Sequence, residues 1–106
     1  MTRYIGNTFS PMMLGSGGSC RVTEVLLAEV TQFNNLVSVV GHEVTAAVLT
    51  GLLGRPVAFN RVNLSLGAGD ELYCVVPNFR ATEAREFSKE EVEAAGVRCF
   101  RVLARL

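Results

Sequence analysis

Between Gly41-His42 and Gly54, the apolar residues Val44, Ala47, Val48, Gly51 and Leu52 recur at i, i+3, i+4, i+7 and i+8. That spacing gathers them on one face of an α-helix, and such a face must be buried against another element. Gly54 just past the end, with Pro56 two residues on, supplies the stop. The flanking stretches follow another period. Val62, Leu64 and Leu66 alternate with Asn63 and Ser65, then Gly67-Ala68-Gly69-Asp70 turns the chain into Glu71-Leu72-Tyr73-Cys74-Val75-Val76. This pattern predicts a β-hairpin, with Pro77 ending its second strand. A helix set among β-prone segments, in one short chain, predicts an α/β fold: a single small domain, residues 1–106, with a mixed β-sheet flanked by helices.

The remaining elements are shorter. Thr2 to Gly6 is β-prone, and Asn7-Thr8-Phe9-Ser10-Pro11 breaks it, with Ser10 as helix N-cap and Pro11 at the first helical position of a turn through Leu14. Gly15-Ser16-Gly17-Gly18-Ser19 is a turn that lacks the glycine spacings of nucleotide loops. Cys20 to Val30 reads as a strand, and Thr31 to Val37 as a short helix capped by Thr31. Ser88-Lys89-Glu90-Glu91 has capping-box spacing and opens a helix that stops at Gly96, before a last strand from Val97 to Leu103. The expected order is β, short α, β, short α, α, β-hairpin, short α, β.

Composition narrows the function classes. Ten basic and ten acidic residues cancel, which argues against a nucleic-acid coat or a polybasic membrane arm, so no DNA partner is expected. No stretch of 18 apolar residues is present and the first residues do not read as a signal peptide, so neither a membrane span nor export is expected. The three cysteines show no metal-like spacing, Cys74 and Cys99 read as small buried hydrophobes, and the expected compartment is the cytoplasm. Neither a metal nor another cofactor is called for. Nine of the ten basic residues are arginine, whose planar fork suits phosphate.

A few residues stand out chemically. His42 is the only histidine, a residue type that takes up and releases protons near neutral pH, and it opens a helix, where backbone N–H groups attract anions. A bound phosphate there favours the imidazolium, a usable general acid. The alternative for His42 is an ordinary partly buried or capping histidine. Arg61 follows Asn60 at the start of the alternating segment, and Arg80 and Glu83 form an R-x-x-E pair in a polar loop, either a phosphate contact or a solvated ion pair. Asn7 and Ser10 lie where a strand gives way to a helical turn, fit either for an anion or for capping.

Taken together, Tyr4-Ile5-Gly6-Asn7-Thr8-Phe9-Ser10-Pro11-Met12-Met13-Leu14, Ser38-Val39-Val40-Gly41-His42-Glu43-Val44-Thr45-Ala46, Leu52-Leu53-Gly54, Asn60-Arg61-Val62, Gly69-Asp70-Glu71-Leu72 and Arg80-Ala81-Thr82-Glu83 follow one another in a familiar order. This set resembles the viral anti-CRISPR ring nucleases that disarm type III CRISPR immunity, and the related small cellular ring nucleases. The likeness runs from about Tyr4 to Glu91. It implies a homodimer that binds cyclic tetra-adenylate and cleaves it, without metal, to linear di-adenylate, switching off the defence signal. Carried onto this chain, His42 is the general acid and Glu83 a second catalytic residue that positions groups around the phosphate. Arg61 and Arg80 hold phosphate, and Asn7, Thr8, Phe9, Ser10 and Gly41 contact the ligand. A non-catalytic sponge or sensor domain for the same cyclic nucleotide is the alternative. The family often carries glycine where this chain has Ala84, and a polar amide where Val76 stands.

Overall fold

In the computed structural model, which describes residues 1–78 and 88–105, the fold is organised around β4 (Glu71–Pro77), whose first five residues are all buried. A strand buried on both faces needs neighbours on both edges and layers above and below. β1 (Arg3–Gly6) runs parallel to it, with Arg3 opposite Glu71 and Gly6 opposite Cys74. β5 (Val97–Arg105) runs antiparallel on the other edge, pairing Val97 with Pro77 at the end of β4. β3 (Val37–Ser38) extends the parallel side beyond β1, and β2 (Ser19–Val25) pairs antiparallel with β5. The five-stranded mixed sheet has the order β2-β5-β4-β1-β3.

One face of this sheet carries the helices α1 (Leu27–Thr31), α2 (Glu43–Leu53) and α3 (Lys89–Ala95). There Ile5, Tyr73, Val75 and Cys99 meet Val30, Val48, Leu49, Leu52 and Val92 in the main core. On the opposite face Leu72, Cys74, Val102 and Ala104 are covered by chain without regular structure, through Phe9, Leu14, Leu64 and Leu66. That cover is incomplete, and Val22 and Val76 stay 53% and 39% exposed. The buried thiols of Cys74 and Cys99 are pushed up to about 11 by burial, as small hydrophobes with little thiolate should be.

Several expectations hold. Ser10 caps a 3-10 turn over Pro11–Met13, with its hydroxyl accepting from the Met12 N–H at 3.3 Å. Gly54 ends α2 at φ +68°, a left-handed conformation that glycine adopts without strain. Ser88 and Glu91 form the full capping box of α3. Replacing Ser88 with alanine should cost about 1 kcal/mol and lower the melting temperature by about 4–8 °C, read by thermal denaturation.

Four expectations need correction. The segment read as one strand from Cys20 to Val30 divides at Leu26, whose backbone is extended, and continues as α1. Helical spacing there lets Leu27 pack on the core and Val30 become fully buried. Thr31 therefore ends a helix and does not cap one: its hydroxyl donates to Ala28 O at 3.1 Å, and Phe33 and Leu36 reach the core from irregular chain leading to β3. The α2 face is rotated from the expected one, so Ala46 and Leu49 are buried with Val48 and Leu52 while Ala47 is exposed. Finally, residues 62–66 form no hairpin with β4, because both edges of β4 are taken by β1 and β5. Leu66 bridges in parallel to Leu14 instead and packs on the opposite face of the sheet.

Among the described residues, Glu71 is the charged one buried in this framework, only 4% exposed at the start of β4. Its carboxylate accepts from Arg101 Nε at 2.5 Å and Tyr73 OH at 3.1 Å, and Arg3 Nε lies 3.5 Å away, with the Arg3 guanidinium over the Phe33 ring. Burial opposes the charge, but the bonds from Arg101 and Tyr73 and the two positive charges outweigh it and hold the carboxyl below its ordinary value. A carboxylate lowered in the folded state stabilises the fold above its unfolded pKa, and that contribution is lost as pH falls through the folded pKa. The expected result is a melting temperature that drops as pH falls below about 4.3. In Glu71→Gln the drop should be shallower and the starting stability at neutral pH lower.

Candidate functional site

The parallel strands β4, β1 and β3 lie side by side, so their carboxyl ends reach one edge of the sheet together. In open sheets with parallel strands, ligands bind just outside those ends, where the chain is free of the ladder and turns away. Here the chain leaves β1 into Asn7-Thr8-Phe9-Ser10, and passes from β3 through Val39-Val40 into Gly41-His42. It leaves β4 at Pro77-Asn78 towards Arg80 and Glu83. Arg80, Glu83 and Ala84 lie outside the described residues.

His42 is the N-cap residue of α2, with extended backbone at φ −133° and ψ 127°. Its carbonyl already accepts the first helical bond, from Ala46 N at 3.0 Å, while its imidazole makes no capping bond and is exposed. The residue therefore stands at the helix end from which the unpaired N–H groups of the first turn project.

Arg61 comes to the same place through a segment with no strand of its own. Val40 and Phe59 form a parallel bridge, Asn60 N donates to Val40 O at 2.8 Å, and Asn60 Nδ2 donates to Ser38 O at 2.8 Å. These bonds lay residues 59–61 alongside 40–42. A Cβ on Gly41 would lie 3.6 Å from Arg61 Cγ and 3.9 Å from Arg61 Cβ, so the arginine stem rests against the glycine that precedes His42. Asn60, read in the sequence only as a neighbour of Arg61, is thus the residue that ties this segment down.

Asn7, Thr8 and Phe9 line a groove of about 350 Å³ on the face of the sheet without helices. Its floor is Cys74, Val76, Phe100 and Val102, and Val22 forms the far side. Ser10 is engaged in capping the turn that follows. Paired across the ladder with the floor residues Phe100 and Val76 are Glu24 and Arg98, which the sequence reading did not single out: Arg98 donates from Nε and a terminal nitrogen to Glu24 at 3.0 and 2.9 Å. Those bonds hold the Glu24 carboxyl below its ordinary value. No local spacing could reveal a pair whose members stand 74 residues apart. A smaller cavity of about 180 Å³ sits on the helix side, bounded by Phe33, Leu53 and Arg55, and Ser38 is its nearest link to the candidate residues.

Comparison with known proteins agrees with the fold. A family model described as STIV B116-like matches residues 3–99. ORF116 of Acidianus filamentous virus 1 (isolate United States/Yellowstone) is 32% identical over 96 residues, covering 87% of this chain and 83% of the viral protein. Protein 26 of Sulfolobus islandicus filamentous virus (isolate Iceland/Hveragerdi) is 32% identical over 69 residues, 64% of this chain and 58% of its own. The structure of B116 of Sulfolobus turreted icosahedral virus superposes with a TM-score of 0.83 at 19% identity, covering 97% of this chain and 99% of that one. Among the described residues, no helix is long and apolar enough to cross a membrane.

Proposed function

The chain belongs to the STIV B116-like family, and we propose that it is a metal-independent ring nuclease that cleaves cyclic tetra-adenylate to linear di-adenylate in the host cytoplasm, switching off type III CRISPR signalling. The observation that carries this reading is the exposed, uncapped imidazole of His42 at the start of α2, with the Arg61 stem packed on the adjoining Gly41. An anion held by that helix end and by an arginine sits where a histidine can pass it a proton.

The chemistry needs few groups. The ribose 2′-oxygen attacks the adjacent phosphorus, forming a P–O2′ bond as the P–O5′ bond breaks. The leaving O5′ takes the bond's electron pair and a proton from the His42 imidazolium, and the 2′-hydroxyl proton leaves to solvent. One end is then a 2′,3′-cyclic phosphate and the other a 5′-hydroxyl. Because the nucleophile is part of the substrate, holding it in line with the leaving oxygen supplies much of the rate. Arg61 and Arg80 hold the phosphate, Glu83 positions the groups around it, and Asn7, Thr8, Phe9, Ser10 and Gly41 form the rim of the ligand site.

A two-fold homodimer suits a ring of four identical nucleotides, since it places equivalent histidines at opposite phosphates and two cuts yield two di-adenylates. The incompletely covered sheet face, with Val22 and Val76 exposed, offers apolar surface for such an association. Binding without turnover is the second reading, and it draws on Ala84, which stands after the R-x-x-E glutamate where glycine is common among the ring nucleases.

The in-line mechanism has a direct test in the 2′-deoxy analogue of the ring. Wild-type protein should bind both rings, convert the ribose form to product ending in a 2′,3′-cyclic phosphate, and leave the deoxy form intact. Equal cutting of both would rule out the 2′-oxygen as nucleophile, and binding of both with no cutting would establish the sponge.

A further inference from the structure

The Glu24–Arg98 pair is exposed and lies where a surface ion pair would contribute little to stability, yet its geometry is better defined than such pairs usually are. Arg98 is paired across the ladder with Val76, at the end of β4 that leads towards the candidate site. Glu24 is paired with Phe100 on the neighbouring strand, so Glu24, Arg98, Phe100 and Val76 share the helix-free face. The guanidinium lies over the Phe100 ring, its carbon 5.0 Å from the ring centroid, and Phe100 and Val76 are both floor residues of the groove that Asn7, Thr8 and Phe9 line. Two nitrogens, Nε and Nη2, are engaged by the carboxylate, which fixes the plane of the fork and leaves Nη1 as a further donor.

We propose that Arg98 is a ligand-binding residue, an anion contact at the groove end nearest the carboxyl ends of the parallel strands, and that Glu24 is its positioning residue. The proposal rests on the phosphodiesterase reading of the same site. A cyclic tetranucleotide is wider than one histidine–arginine pair can span, so phosphates away from the scissile bond need their own donors. Arg98 supplies one beside the floor residue Val76, its partner across the ladder. It also places a charged donor directly across the ladder from the exposed, apolar Val76. The carboxylate of Glu24 does not cancel this role. A guanidinium bonded on two of its nitrogens still presents donors on its outer edge, and its orientation is set before the ligand arrives.

The test uses the full chain. Affinity for fluorescent cyclic tetra-adenylate is measured in a His42→Ala background that spares the ring, and turnover is measured with His42 present. Arg98→Ala should weaken binding about 10-fold, raising KM by a similar factor while kcat changes less than about 2-fold, because ground and transition states lose the contact alike. Arg98→Lys should recover part of the loss. Glu24→Gln should weaken binding by about 3-fold through lost orientation, without a matching fall in melting temperature. Unchanged affinity in Arg98→Ala, with wild-type protein binding the ring, would overturn this proposal and leave the phosphodiesterase reading intact. Tighter binding in Glu24→Gln would overturn the positioning role, since the carboxylate would then merely compete with the ligand. Failure of the wild-type protein itself to bind the ring would overturn the underlying reading and this inference with it.

Discussion

Replacing His42 with alanine should slow single-turnover cleavage of cyclic tetra-adenylate by about 10²–10⁴-fold while leaving affinity within a few-fold of the wild type. The size follows from the step assigned to the side chain. Proton donation to the leaving oxygen acts in the transition state, so its loss falls on the chemical step and not on ground-state binding. The residual rate should be well above that of the free ring, because the proposed Arg61 and Arg80 contacts would still hold the phosphate in line. The exposed N-cap position also makes the substitution safe for the fold. The His42 side chain makes no capping bond, and its carbonyl, which accepts the first helical bond, is unaffected by the change. A similar rate in the variant would mean that another group delivers the proton; equal loss of rate and binding would mean that His42 is a ligand contact.

The second large effect concerns the packing that holds His42 in place. Leu49 is fully buried on the face of α2 that meets Ile5, Tyr73 and Val75, and Leu49→Ala should cost about 2–5 kcal/mol, lowering the melting temperature on the order of 10–25 °C. Ala47, two residues earlier and exposed, should tolerate serine at a cost of about 0.5 kcal/mol. The pair discriminates between two orientations of the same helix: the structural one, which buries Leu49, and the one suggested by sequence spacing, which would bury Ala47. A large loss in Ala47→Ser with a small one in Leu49→Ala would place the wrong face against the sheet.

That rotation shows where local reading of this sequence stops. The ends of α2 and the caps of the 3-10 turn and α3 were legible because each depends on residues within four positions: Ser10 before Pro11, Ser88 before Glu91, Gly54 before Pro56. The α2 face was not, because alanine, valine, leucine and glycine occupy so much of that helix that two adjoining stripes look equally apolar. Which one is buried depends on the sheet beneath it. The false hairpin has a similar origin. Alternation in residues 62–66 is real, but alternation says nothing about partners, and β4 is claimed on one edge by a strand from the start of the chain and on the other by the last strand. Two-residue β3 carries no detectable period at all.

The candidate site divides along the same line. His42 as a helix-opening histidine and Asn7 to Ser10 as a strand exit were readable residue by residue. The packing of Arg61 on Gly41 was not: it depends on the Val40–Phe59 bridge and on the bond from Asn60 to the Ser38 carbonyl, contacts made across the intervening helix. Glu24 and Arg98 were missed altogether, since they come together only when β2 is laid beside β5. The candidate site is thus assembled by sheet order, and the residues proposed to carry chemistry are spread over segments that local patterns treat as unrelated turns.

Ring cleavage by this chain's own side chains is read out by incubating the purified protein with cyclic tetra-adenylate in excess EDTA and following the products by chromatography. Conversion of the ring to linear di-adenylate at an undiminished rate is the predicted result. An intact ring under those conditions, whether bound or free, would rule out metal-independent cleavage.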